Sequence, residues 1–137
     1  MPYTTYDRYL ETQVLSADPV QLVNMLYRGA LEAVESARQH LATGLIIERS
    51  NQIMKAWDIL NELSHSLNHA AAPDLSARLA GLYAHMQQRL IDANVQQADA
   101  PLAEVRALLS TLSEAWLGVK SSQPVKAADY EPVSCAL

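Results

Sequence analysis

The side chains best suited to chemistry in this 137-residue chain are four histidines, one cysteine and a scatter of carboxylates. Glu62, His65 and His69 have the most suggestive spacing. On one continuous helix they share a face, and imidazole and carboxylate ligands so placed can hold a transition metal. Yet the run His65-Ser66-Leu67-Asn68-His69 lacks the glutamate beside the first histidine that a zinc-protease helix uses as its base. Glu62-x-x-His65 also matches half of a di-iron bundle site. The other half is missing, because Leu82 stands three before His85 and Ala37 three before His40. Histidine phosphotransfer would need a lysine one turn past the reactive histidine. The residues there are Thr43, Asn68, Ala72 and Gln88. No glycine-rich phosphate loop exists, and no carboxylate pair stands out as an acid–base dyad. Cys135 has no activating neighbour in sequence, and a single cysteine allows neither an intramolecular disulfide nor a cysteine-based zinc site. These residues read as polar helix faces: the expectation is no enzyme, no metal and no cofactor.

The elements that carry them are helices. Ser16-Ala17-Asp18-Pro19 is a helix start, with Asp18 placed to cap free amides and Pro19 suited to the first helical position. Gly44 ends the first apolar pattern as a C-cap. Ala70-Ala71-Ala72-Pro73-Asp74 and Ala98-Asp99-Ala100-Pro101 interrupt later ones. The helices expected are 19–43, 46–69, 74–97 and 101–119. In the second, Ile53, Trp57, Leu60, Leu63 and Leu67 recur at helical spacing; in the third, Leu75, Leu79, Leu82, Met86, Leu90 and Ala93 do so. Leu102, Val105, Leu109, Leu112, Trp116 and Val119 give the fourth a narrow seam. Short connections make neighbours antiparallel. The fold class is all-α, an up-down-up-down four-helix bundle over residues 1–120, with residues 3–15 as a short extra helix or arm and 121–137 as a flexible tail.

Several helices carry more apolar surface than such a core requires. In the first, Leu22, Val23, Met25, Leu26, Tyr27, Ala30, Leu31 and Val34 sweep roughly 240°, where a bundle stripe needs little over 100°. The third has a second stripe, Ala77, Ala80, Ala84, Ile91 and Val95, within roughly 60°. Met54 and Ile59 lie off the main face of the second. Uncovered apolar surface of this extent implies a partner. The candidate contact residues are Met25, Leu31, Met54, Ile59, Ala80, Ala84, Ile91 and Val95; the plainer reading covers them with the N-terminal arm or a homodimer contact. Met86 is assigned to a core gap. Bulk properties narrow the partner. A net charge of −5 argues against nucleic acid, and no run approaches a membrane span. The N-terminus lacks the pattern of a signal peptide, so the cytoplasm is the expected location.

Ser16-Ala17-Asp18-Pro19-Val20-Gln21-Leu22, followed by Met25-Leu26-Tyr27-Arg28-Gly29-Ala30-Leu31, resembles the signature of the FliS flagellar export chaperones. Leu82-Tyr83-Ala84-His85-Met86-Gln87-Gln88-Arg89-Leu90-Ile91-Asp92-Ala93-Asn94 is similar too, as are Glu114-Ala115-Trp116 and Tyr3-Thr4-Thr5-Tyr6. The resemblance spans residues 3–119. It implies an antiparallel helical bundle in the cytoplasm that binds the disordered C-terminal segment of flagellin, blocks premature polymerisation and delivers its client to the flagellar export gate. It further implies that an N-terminal arm covers apolar surface in the free protein, with Tyr3, Tyr6 and Leu10 as the candidate arm and gate-contact residues. Arg28, Ala84, His85 and Gln88 depart from the family's usual residues. The competing readings are a helical adaptor or homodimer without a flagellin client, and a metal-binding bundle.

Overall fold

The computed structural model describes residues 19–122. Four helices occupy most of that span: α1 (Pro19–Thr43), α2 (Ile46–His65), α3 (Pro73–Gln96) and α4 (Ala100–Ser122). Each packs on the next, and α4 closes the square against α1, so the expected all-α bundle is what the chain builds. Among the described residues there is no strand, and no helix is long and apolar enough to cross a membrane. Tyr3, Tyr6, Leu10, the cap at Asp18 and residues 123–137 lie outside the described residues.

The turns follow from local chemistry. Gly44 adopts φ +75°, and the Gly44 and Leu45 amides donate back to the Leu41 and His40 carbonyls. This satisfies two of the orphan acceptors at the end of α1. Gln97 ends α3 in the same left-handed region, at φ 52°, and the Ala98 amide returns to Ala93. Between α2 and α3 the backbone is captured by Asn68. Its side-chain oxygen accepts from the Ala71 amide, and its carbonyl accepts from Ala72 and from the Ser76 hydroxyl. The second helix was expected to reach residue 69 but stops at His65, because an Asx-type turn competes with further helix. His69 therefore leaves the helix, and the shared face of Glu62, His65 and His69 does not form. At the other end of the chain, residues 121 and 122, expected to open a tail, still belong to α4.

The core runs the length of the bundle. It contains Val23, Val34, Ile53, Leu60, Leu63, Met86, Leu90, Leu102, Val105 and Leu109, and Met86 fills the core role expected of it. Trp57 and Leu82 are half-buried against it. Leu75 is the exception, at 40% exposed. It sits in the first turn of α3, and Ser76 takes the inward position there while bonding to Asn68. The inward face of α3 also includes Tyr83, which the apolar count did not assign to the core. Its hydroxyl and that of Tyr27 lie 2.6 Å apart, joining α1 to α3 across the bundle. Trp116 donates its indole N–H to the Val20 carbonyl at 3.1 Å, which pins α4 to the start of α1. Val119 falls outside the described side chains.

Candidate interaction surface

Polar contacts divide the exterior in two. Along the first half of α4, charged side chains are paired; Glu114, further on, is exposed and enters no ion pair among the described residues. Arg38 donates through two nitrogens to the carboxylate of Asp99 at 2.8 and 3.0 Å, and Arg106 lies 2.9 Å from Glu35. These contacts stitch α1 to the start and flank of α4. On the other flank, His85 Nε2 donates to Glu104 at 2.7 Å, and Arg89 donates to Glu104 at 2.8 Å and to Asp92 at 3.1 Å. The Arg38 fork holds the Asp99 carboxyl below the usual carboxylate range. His85 and then Arg89 do the same for Glu104, and the Gln88 amide and Arg89 for Asp92. Among the described residues every ion pair belongs to this α4 side.

The α2 side is different. Glu48, Lys55, Asp58 and Glu62 are exposed there and enter no ion pair among the described residues. Its polar contacts are neutral or single. Arg49 is buried and donates through Nε to Asn94 at 3.0 Å, an oxygen it shares with the Ser50 hydroxyl. Gln87 donates to the Trp57 carbonyl at 3.2 Å. These bonds lock α2 to α3 beneath the surface and leave apolar groups above them.

The expected contact residues fall into three places. Ala80, Ala84, Ile91 and Val95 share the flank of α3 that leans toward α2. Val95 is 75% exposed, Ile91 and Ala84 are exposed, and Ala80 is half-buried against the core. Met54 and Ile59 line an open groove of about 350 Å³ on the outer face of α2, together with Asn51, Lys55, Asp58 and Glu62. Ile59 also leans toward α1, where a Cβ on Gly29 would stand 3.3 Å from its Cδ1. Met25, half-buried, lies on that same flank of α1, one turn from Gly29. Leu31 does not join them. It is half-buried on the opposite flank of α1, the side of Glu35 and Arg38 that faces α4. The exposed aliphatic residues not anticipated are Leu45, Ile46 and Ile47 at the α1–α2 turn, with Ile47 at 72%, and Leu117 near the end of α4. Three consecutive aliphatic side chains after a C-cap glycine were the available signal.

The sequence profile described as "Flagellar protein FliS" matches residues 2–123, nearly the whole chain. The chain belongs to the FliS family. A protein named flagellar secretion chaperone FliS from Salmonella typhimurium is 35% identical over 108 residues, covering 78% of this chain and 80% of the relative. Its namesake from Bacillus subtilis is 32% identical over 115 residues, covering 84% and 83%. The protein named FliSB from Pseudomonas aeruginosa is 34% identical over 110 residues, covering 80% and 87%. The motifs through which the family is legible in this chain are packing motifs. Tyr27 lies in the first block and Tyr83 in the second, and they bond to each other. Asn94 closes the second block and bonds to α2; Trp116 of the third bonds to α1. The departures sit outside. Arg28 and Ala84 are exposed, His85 pairs with Glu104, and Gln88 donates to Asp92 at 3.0 Å.

Proposed function

We propose that this member of the FliS family is a cytoplasmic export chaperone whose client is the disordered C-terminal segment of flagellin. In this reading the chaperone holds that segment out of premature polymerisation and delivers it to the flagellar export gate. The relatives' names support the secretion-chaperone role. The observation that carries the client-binding half is the uneven exterior: ion pairs cover the first half of α4, and Leu117 near its far end is the exposed large aliphatic there, while α2 and the adjoining flank of α3 keep Met54, Ile91 and Val95 in solvent. A segment that orders on binding gives up about 2–5 kcal/mol or more, so it needs broad apolar contact in place of one pocket. Met25, Met54, Ile59, Ala80, Ala84, Ile91 and Val95 are the proposed contact residues, with Leu31 as a separate point on the α4 side. Tyr3, Tyr6 and Leu10 are the proposed arm and gate contacts.

The test is a calorimetric titration of the whole protein with the C-terminal segment of its flagellin. One-to-one binding is expected, and Ile91→Asp or Ala84→Glu should weaken it with helicity unchanged. Ala84 is exposed and Ile91 is 36% exposed, and neither belongs to the buried core, so circular dichroism should show both variants folded. Unchanged affinity in both variants would remove the α3 stripe from the surface, and no binding by the unaltered protein would overturn the client assignment.

A further inference from the structure

The groove on α2 is not purely apolar, and its charges are unspent. Met54 and Ile59 stand on the two flanks of this outer face, with Asp58 and Glu62 between them. Asp58 and Glu62 are four residues apart, so their side chains rise next to each other from successive turns. Elsewhere Glu35, Asp92, Asp99 and Glu104 each find a cation, while Glu32, Asp74 and Glu114 enter no ion pair among the described residues. Asp58 and Glu62 find none among the described residues, although Lys55 lines the same groove. Glu48 is exposed nearer the start of α2, so that Glu48, Asp58 and Glu62 exceed Arg49 and Lys55 by one negative charge, in a chain whose net charge is −5.

Building on the chaperone reading above, we infer that the client segment seated on α2 is basic: it places lysine or arginine stems across Met54 or Ile59 and their cationic heads against Asp58 and Glu62. Long basic side chains suit this arrangement because their methylenes cover apolar surface while the head reaches a charge. Two adjacent carboxylates offer an arginine or lysine two acceptors at once. The acidic field also steers a cationic segment to the correct face before the apolar contacts form, and it disfavours acidic competitors. The hydrophobic groups supply the contact area, and the carboxylates select which sequence lies there.

The test compares the unaltered protein, Asp58→Lys/Glu62→Lys and Asp58→Asn/Glu62→Gln, each titrated with the C-terminal flagellin segment at low and high salt. Both substituted positions are exposed, and circular dichroism checks that each variant is folded. Charge reversal should lower affinity about tenfold at low salt, the neutral pair should fall between, and the weakening with added salt should be lost. A client whose lysines and arginines are replaced by glutamate should bind the reversed variant better than the unaltered protein. Equal affinity and equal salt dependence across the three proteins, with Ile91→Asp still impaired, would overturn this inference and leave the chaperone reading standing. Failure of the unaltered protein to bind the segment would overturn both.

Discussion

The pair Tyr27–Tyr83 is the sharpest single commitment in the core. Burial pushes both phenols up from their ordinary titration range, so both stay neutral at physiological pH. One hydroxyl must donate and the other accept, and neither has another partner described. Replacing Tyr83 by Phe leaves the Tyr27 hydroxyl desolvated without a partner, at a cost of about 1–3 kcal/mol. Replacing both removes the orphan as well as the bond. The double variant Tyr27→Phe/Tyr83→Phe should therefore lose clearly less stability than the two single losses added together. Denaturant unfolding of the four proteins measures the coupling directly, and strict additivity would show that the hydroxyls do not depend on each other. Apolar periodicity could find Tyr27 but not Tyr83, because a phenol counts as neither wholly apolar nor polar until its partner is known. The same blindness applies to Arg49 and Asn94: a charged residue in a helical pattern reads as solvent-facing, and only the bond across to α3 explains its burial.

At the level of the helices, the sequence was informative where one local force acted and misleading where two competed. Gly44 ended α1 as expected, since only one residue type suits a left-handed C-cap without strain. The end of α2 was misplaced because the periodicity through Leu67 favours helix, while Asn68 offers the backbone an alternative set of bonds. The second stripe on α3 was legible since it repeats at the helical period on a different face from the core residues, and its residues do lie at the surface or half-buried. The exposed Leu45-Ile46-Ile47 tip was not, because helical periodicity marks where α2 begins without showing which side chains of its first turn the bundle covers. Gly81 tests whether the α3 face is shaped for packing or for close approach. It is exposed in a helix interior, and a Cβ there meets nothing within 4 Å. Gly81→Ala should stabilise the free protein by about 0.8–1 kcal/mol through helix propensity. If flagellin's segment passes close to this turn beside Ala77 and Ala84, the same change should weaken its binding even as the melting temperature rises. A more stable variant with unaltered affinity would place the client's path away from Gly81.

Across the whole molecule, the ion pairs and the proposed client surface lie on opposite sides, and acid should separate their contributions. Asp99 and Glu104 titrate below their ordinary values in the folded chain because Arg38, His85 and Arg89 favour their charged forms. Unfolded, the two carboxyls return to about 4. A group depressed on folding binds fewer protons in the folded state, so its contribution is complete above that value and fades as the pH falls through the folded-state values. Asp99→Asn should therefore be less stable than the unaltered protein at pH 7, and the difference should shrink toward pH 3. Exposure limits the size of the effect, since solvent and salt screen both seams. Urea unfolding across that range reads it, and a difference independent of pH would mean that Arg38 and Asp99 contribute through geometry alone. The aliphatic groups on α2 and α3 carry no charge to titrate, so the division also fixes what acid should do to the proposed client surface. Between pH 7 and 5, above the window in which the α4 pairs are lost, the bundle should stay folded and the apolar contribution to client binding should stay constant. Any change of affinity in that interval must then come from side chains that change charge there, of which histidine is the ordinary one, on either partner.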